Sequence, residues 1–492
     1  MAARLRSIFV LRKLSLKTLQ RFRWSFPLLF LLLAAVNFNS LTAPPFWDDL
    51  IGVQTQSVFL ARCRLDVSAL FSSPREAGSA CYNPISILSW FYAILYLLLP
   101  PAAVHSAGHL LNCACLAGAG GLFLELTRRR FPPGIAVTGV FLALVHPLLA
   151  SRGAAMGQEA LLAFFIMLTL FLWSRDQRRK ALVCALCSLT VKLTGAILLP
   201  GMMAELLVRT SPSGKRKKLL YSIGAGTAFL SLAGLYFLHF GSGAKLLAWK
   251  PAEVRDLLKN AYCLLLPEFL FALVLLGLTC PAKRKKMFET LHLGLFIWTT
   301  GFFYTANFLS GQCALPRYGA IIVFPTVFVL LSGLRFFTRR KAMCILGAMI
   351  FLNLVCCTGF LLPPIPRTAL HDGSLLERSF EFTELRRKYQ RFCAELEQSP
   401  PQSPLVVTWP LLHMLTVPEF GYVRSPVPNI VSGEYPHPLG NFRKLDRDLV
   451  RRGVMVLFEP NCYNWQIPRG AKILYASVPQ DPLCSFLIYA LP

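Results

Sequence analysis

Two adjacent aspartates, Asp48 and Asp49, stand in the string PPFWDD, just after the first long apolar run of the chain, Trp24 to Ala43. A carboxylate at a membrane surface can take a proton from a hydroxyl or an amine, and a like-charged neighbour tunes its pKa. The same pair could hold a cation, sit solvated in a loop, or cap the helix that begins near Leu50. Phe46 and Trp47 seat it at an interface rather than in free water. Further along, SRGAAMGQE contributes Arg152 and Glu159, the latter opening the apolar run LLAFFIMLTLFLW. An ionisable residue at that depth suggests function, or complements the helix dipole from its N-terminus. In SLTVKLTGAILLP, Lys192 needs either an anion such as phosphate or a route to snorkel to water. In ALPRYGAIIVFP, Arg317 and Tyr318 suit bidentate phosphate binding or an interfacial anchor. His105 and His109 are four apart and can share a helix face, while His146 and His239 are isolated. None has the spacing of a metal site.

The elements that must position these residues are membrane helices. Of 492 residues, 55% are hydrophobic and 15% charged, with a mean hydropathy of +0.52. Several apolar runs are long enough to cross the ~30 Å hydrocarbon layer. They are continuous rather than alternating, which specifies helices rather than a barrel. The net charge of +27 invites a nucleic-acid reading, but the basic residues cluster between apolar runs: Arg4 to Arg23, Arg128–Arg130, Arg175–Lys180, Lys215–Lys218, Lys283–Lys286 and Arg339–Lys341. That is the positive-inside pattern, and no nucleic-acid partner is expected.

With those clusters in the cytoplasm, spans fall near 24–43, 107–127, 133–150, 156–173, 181–194, 195–209, 219–240, 261–280, 288–309, 318–336 and 343–362. The expected architecture is a polytopic α-helical membrane core of about eleven spans, 1–362, with its N-terminus inside. An outer loop, 44–106, carries the acidic pair. Within it, 84–100 reads as a half-inserted helix, because a full crossing would move the basic clusters outside. The segment 363–492 alternates strand-like runs (PLVVTWP, GVMVLFEP, AKILYASV, CSFLIYAL) with charged helix-like stretches, 375–397 and 444–452. This predicts a small external α/β domain. Of the fifteen cysteines many lie inside apolar runs, Cys184 and Cys187 among them, where Cys acts as a small hydrophobe. Cys63 with Cys81, and Cys462 with Cys484, are disulfide candidates that spacing alone cannot pair. There is no N-x-S/T sequon.

The order of these elements resembles the GT-C fold of integral-membrane glycosyltransferases, in the branch of the protein O-mannosyltransferases and lipid A aminoarabinose transferases. The resemblance covers roughly 20–340 and is carried by the acidic first loop, SRGAAMGQEALLAFF, LTVKLTG running into LLP, and PRY before IIVFP. It implies a sugar moved from a polyprenyl-phosphate donor to an acceptor at the outer face, with inversion and with no obligatory metal or other cofactor. Asp48 would be the catalytic base, with Asp49 in the place of a frequent Glu. Arg317 and Tyr318 would serve the lipid phosphate, with Arg152 and Lys192 as further cations. The chain departs from the pattern in the second turn, where relatives carry an Asp shortly after the Arg. Here Met156, Gly157 and Gln158 intervene and the nearest acid is Glu159. The implied setting is a bacterial inner membrane with 363–492 in the periplasm and membrane lipids as surroundings. The acceptor, whether protein, lipid or glycan, is left open. The rival classes are a transporter or flippase of lipid-linked sugars, and a catalytically degenerate relative.

Overall fold

A computed structural model describes residues 24–46, 49–66, 68, 86–209, 266–283, 287–288, 292–309, 316–354, 381–407, 410–432, 455–458, 472–476 and 487–490. The apolar runs form helices. In chain order α1 is Trp24–Val36, α2 Thr55–Arg62, α3 Ile87–Leu98, α4 Pro101–Arg128 and α5 Pro133–Leu144. A bent limb, Pro147–Ala154, turns 62° from α5. Then follow α6 Glu159–Trp173, α7 Arg178–Val191, α8 Leu198–Arg209, α9 Leu266–Gly277, α10 Leu293–Leu309, α11 Val323–Leu334 and α12 Arg339–Leu352.

Helix α4 starts on Pro101, whose missing N–H is harmless in a first turn, and ends on Arg128, whose charge suits the C-terminal dipole. At 28 residues it is about 42 Å long. Its small central residues admit close neighbours, and Gly118 lies against the Phe164 ring. The core beside it is aromatic. Phe123 packs on Phe324 at 5.2 Å, and Phe296 stacks on Phe328 at 4.1 Å. Among the described residues α4 alone is long and apolar enough to cross a membrane, with the α5 limb pair a second case if taken as one span. The other apolar helices run 10–17 residues. The expected span 219–240 lies outside the described residues.

Helix α3 is short, 12 residues or about 18 Å, and cannot cross ~30 Å of hydrocarbon. It buries Leu88, Tyr92 and Ala93 and exposes Ile87, Phe91, Ile94, Leu97 and Leu98. Leu28 and Leu31 of α1, and Leu270 and Val274 of α9, are likewise exposed.

Beyond the helices lie α13 (Glu381–Gln398), α14 (Leu411–Thr416) and a five-stranded sheet. Its strands are β1 Leu405–Val407, β2 Ile430–Ser432, β3 Met455–Phe458, β4 Lys472–Ala476 and β5 Leu487–Ala490, in the order β2-β1-β3-β5-β4. β1 runs parallel to both β2 and β3, while β5 is antiparallel to β3 and β4. β1 is buried throughout, as a parallel strand covered on both faces must be. The four strand-like runs of the sequence supply β1, β3, β4 and β5. Cys63 is a free thiol, while Cys81, Cys462 and Cys484 lie outside the described residues.

This C-terminal unit does not stand apart. One hydrophobic core joins Phe46, Leu50, Val58 and Ala154, from the segments that follow α1 and α5, to Tyr389, Phe392, Leu405, Met414, Phe420 and Tyr422.

Candidate active site

Asp49 is half-buried and opens a single π-turn, Leu50–Gln54, that runs on into α2. Such turns recur at functional sites. Its Oδ2 accepts the N–H of Met156 at 2.9 Å. This bond ties the first outer loop to the turn that follows Arg152. Glu159, in the first turn of α6, is buried, and its Oε1 accepts from Lys192 Nζ at 2.7 Å. Lys192 sits at the break between α7 and a 3-10 turn, Leu193–Ile197.

Gly157 lies between the two carboxylates. A Cβ there would stand 2.5 Å from Asp49 Oδ1 and 2.6 Å from Glu159 Oε2. The close approach therefore requires glycine.

Desolvation raises the Asp49 pKa to about 7, and the neighbouring Glu159 charge adds to the rise. The Met156 N–H, Arg152 and Lys192 oppose it. A half-buried carboxylate titrating near neutrality is suited to general-base work.

The sequence offered Arg152 and Lys192 as cations for a phosphate, with snorkelling the alternative for Lys192. Arg152 is buried, at 6% exposure, in the 3-10 turn Ser151–Ala154. Lys192 is engaged by Glu159 rather than snorkelling. For Glu159, the helix-terminal position and the ionic one both hold, because the dipole and Lys192 favour the same charge. Asp48 lies outside the described residues. Arg317 and Tyr318 fall in a 3-10 turn, Pro316–Ile322, that packs against α6.

Sequence reasoning missed the groups that hold these loops. His109 bridges two of them, with Nδ1 3.2 Å from Gly153 O and Nε2 2.9 Å from Ala43 O. The Asn112 amide donates to Ala155 O at 2.7 Å. From α13, buried Arg386 donates through Nη1 to Ala154 O at 3.2 Å and Pro44 O at 3.4 Å. The Tyr422 hydroxyl donates to Pro45 O at 2.9 Å. A signal for Arg386 was present in the sequence: it shares helical spacing with Tyr389, Cys393 and Leu396, all buried.

The arrangement of the helices has a GT-C architecture, the fold of integral-membrane glycosyltransferases. In particular, the chain is similar to the crystal structure of ArnT from Cupriavidus metallidurans bound to undecaprenyl phosphate. The TM-score is 0.53 and the identity 14%, over 94% of this chain and 97% of that one. The apo form of the same protein aligns at 16% identity and a TM-score of 0.43, over the same shares. No family model matches the sequence, and no curated protein does.

Proposed function

We propose that the chain is a membrane glycosyltransferase that moves a sugar from a polyprenyl-phosphate donor to an acceptor at the outer face of the membrane. The observation that carries this reading is the Asp49–Glu159–Lys192 cluster, two carboxylates and a cation held around Gly157 in a GT-C fold. The ligand of the similar structure, undecaprenyl phosphate, is the kind of lipid phosphate that the proposed donor would leave behind. The lipid-facing leucines of α1 and α9 fit a bilayer setting.

Asp49 is the general base in this scheme, because its carboxylate lies in the cluster and titrates near neutrality. Asp48 is its adjacent carboxylate. The acceptor O–H or N–H gives its proton to Asp49 while its oxygen or nitrogen forms the new bond to the anomeric carbon. The bond from that carbon to the phosphate oxygen breaks, and its electron pair leaves with the polyprenyl phosphate. Attack opposite the leaving group inverts the anomeric centre. Cations stabilise the phosphate as its charge grows. Arg317, Tyr318 and Arg152 are proposed for that role, with Lys192 shared between Glu159 and the donor. The setting proposed from the charge pattern is an inner membrane, with about eleven crossings, the N-terminus in the cytoplasm and 363–492 outside. The acceptor class, protein, lipid or glycan, follows from the assay below.

The test is transfer from a radiolabelled polyprenyl-phosphate sugar by purified protein. Asp49→Asn is expected to lower kcat by at least ~10²-fold, and Asp48→Asn by less. Transfer by Asp49→Asn at the wild-type rate would remove it as base. Movement of lipid-linked sugar across vesicles without covalent transfer would favour the flippase.

A further inference from the structure

We propose that Arg386, with Tyr422, is a positioning residue for the carboxylate pair: the C-terminal unit sets the backbone of the two loops that carry Asp49 and Glu159. The inference rests on the transferase reading above and adds a working part to its site.

The argument begins with Pro44 and Pro45. Proline has no N–H, so this stretch cannot join a regular hydrogen-bond ladder. Both residues are nevertheless buried, and their carbonyls must find donors where they lie. Arg386 supplies one to Pro44 and Tyr422 one to Pro45. The same Arg386 Nη1 also donates to Ala154, in the turn that leads to Gly157 and Glu159. One nitrogen therefore spans both carboxylate-bearing loops.

Arg386 is 1% exposed. Burying a guanidinium is costly, and an apolar residue would pack a domain onto a loop more cheaply. What the guanidinium adds is planar, directional donors that fix a spacing. Burial pulls its pKa down only to about 10, so it stays charged at neutral pH.

Independent contacts keep this geometry in register. Phe46 meets Tyr389 edge-on at 5.4 Å. The turn ending in Gly421, whose φ of +76° suits glycine, sets the Glu419 carbonyl 3.2 Å from His105 Nε2. Arg62 grips the Glu419 carboxylate with two bonds of 2.8 Å.

The test uses the full-length protein in lipid nanodiscs with Arg386→Met, Arg386→Lys and Tyr422→Phe, read by steady-state kinetics and amide hydrogen exchange. Arg386→Met should lower kcat by about tenfold to a hundredfold, the cost of a small misalignment, with donor KM within threefold. Exchange should rise at the Ala43 and Phe46 amides and across 153–158 while β1 stays protected. Arg386→Lys should recover part of the rate, and Tyr422→Phe, which removes one bond and keeps the packing, should loosen 43–46 with a smaller loss. Wild-type kcat in Arg386→Met, or unchanged loop exchange, would overturn the proposal. So would loss of protection across β1 together with no defect in Tyr422→Phe, since Arg386 would then serve folding alone. If the wild type transfers no sugar, the transferase reading fails, and the exchange data still decide whether Arg386 orders the loops.

Discussion

Helix α6 has acids packed near each end, and the two ends differ in how many carboxylates share the cations. Near its C-terminal end, Glu125 of α4 is met by Arg129 at 2.7 Å and Arg175 at 3.3 Å, two guanidiniums for one acid. Arg175 also lies 4.3 Å over the Phe171 ring. Every charge there has an opposite neighbour, and the arginines reach partly into solvent. Near its N-terminal end, Asp49 and Glu159 crowd around one glycine, Lys192 binds Glu159 at 2.7 Å, and the Arg152 charge acts on both acids. One acid between two guanidiniums makes a fixed strut. Two acids sharing their cations leave Asp49 poised to give up or accept a proton near neutral pH.

The sharpest way to break this contrast is Gly157→Ala. The new methyl would push apart the two carboxylates it meets at 2.5 and 2.6 Å, and transfer should fall about a hundredfold. Melting measurements separate that from unfolding, since the clash is with side-chain tips. Activity unaffected by the methyl would mean the carboxylates need not be close.

Glu159→Gln should have a smaller effect of a different kind. It removes a charge that raises the Asp49 pKa and releases Lys192, which lowers it. Both changes act in one direction, so the acid limb of the pH–rate profile, expected near pH 7 in the wild type, should move to lower pH. The plateau should drop about tenfold as the base weakens. A limb that stays in place would detach Asp49 from the observed titration.

Stability should show the same contrast. The folded state holds the Asp49 proton more tightly than the unfolded chain, so the fold is penalised as pH rises from the ordinary carboxylate range through about 7. Asp49→Asn should therefore raise the melting temperature more at pH 8 than at pH 5. Glu125→Gln is the mildest change: transfer within twofold of wild type, and a loss of about 1 kcal/mol, because its arginines keep access to water. A large activity loss in Glu125→Gln would show that the two ends of α6 are coupled.

Much of the site was legible because ionisable residues in apolar runs stand out by type alone, as Asp49, Arg152, Glu159 and Lys192 all did. Their pairing was not legible. Lys192 and Glu159 lie on different helices, and nothing local in LTVKLTG says which anion the lysine meets. The helices were readable from continuous apolar runs, but their ends were not. The expected span 133–150 shortened to 133–144 where the chain bends before Pro147. The shortness of α3 was legible, since its flanking prolines limit its length. The docking of the C-terminal unit escaped notice because Arg386 stands among Arg387, Lys388 and Arg391 in a stretch that reads as a solvated face. Only the buried company of Tyr389 and Cys393 distinguishes it.

Helix α3 has one further consequence. Its outward face is bare apolar surface, and its inward face is moored to the chain just past Asp49: Tyr96 binds Gln54 at 2.9 Å, and Ser89 binds Gln56 at 3.0 Å. Placed at a bilayer surface, such a helix would act as a float, and the height at which it rode would pass along a short tether to the acidic loop of the candidate site.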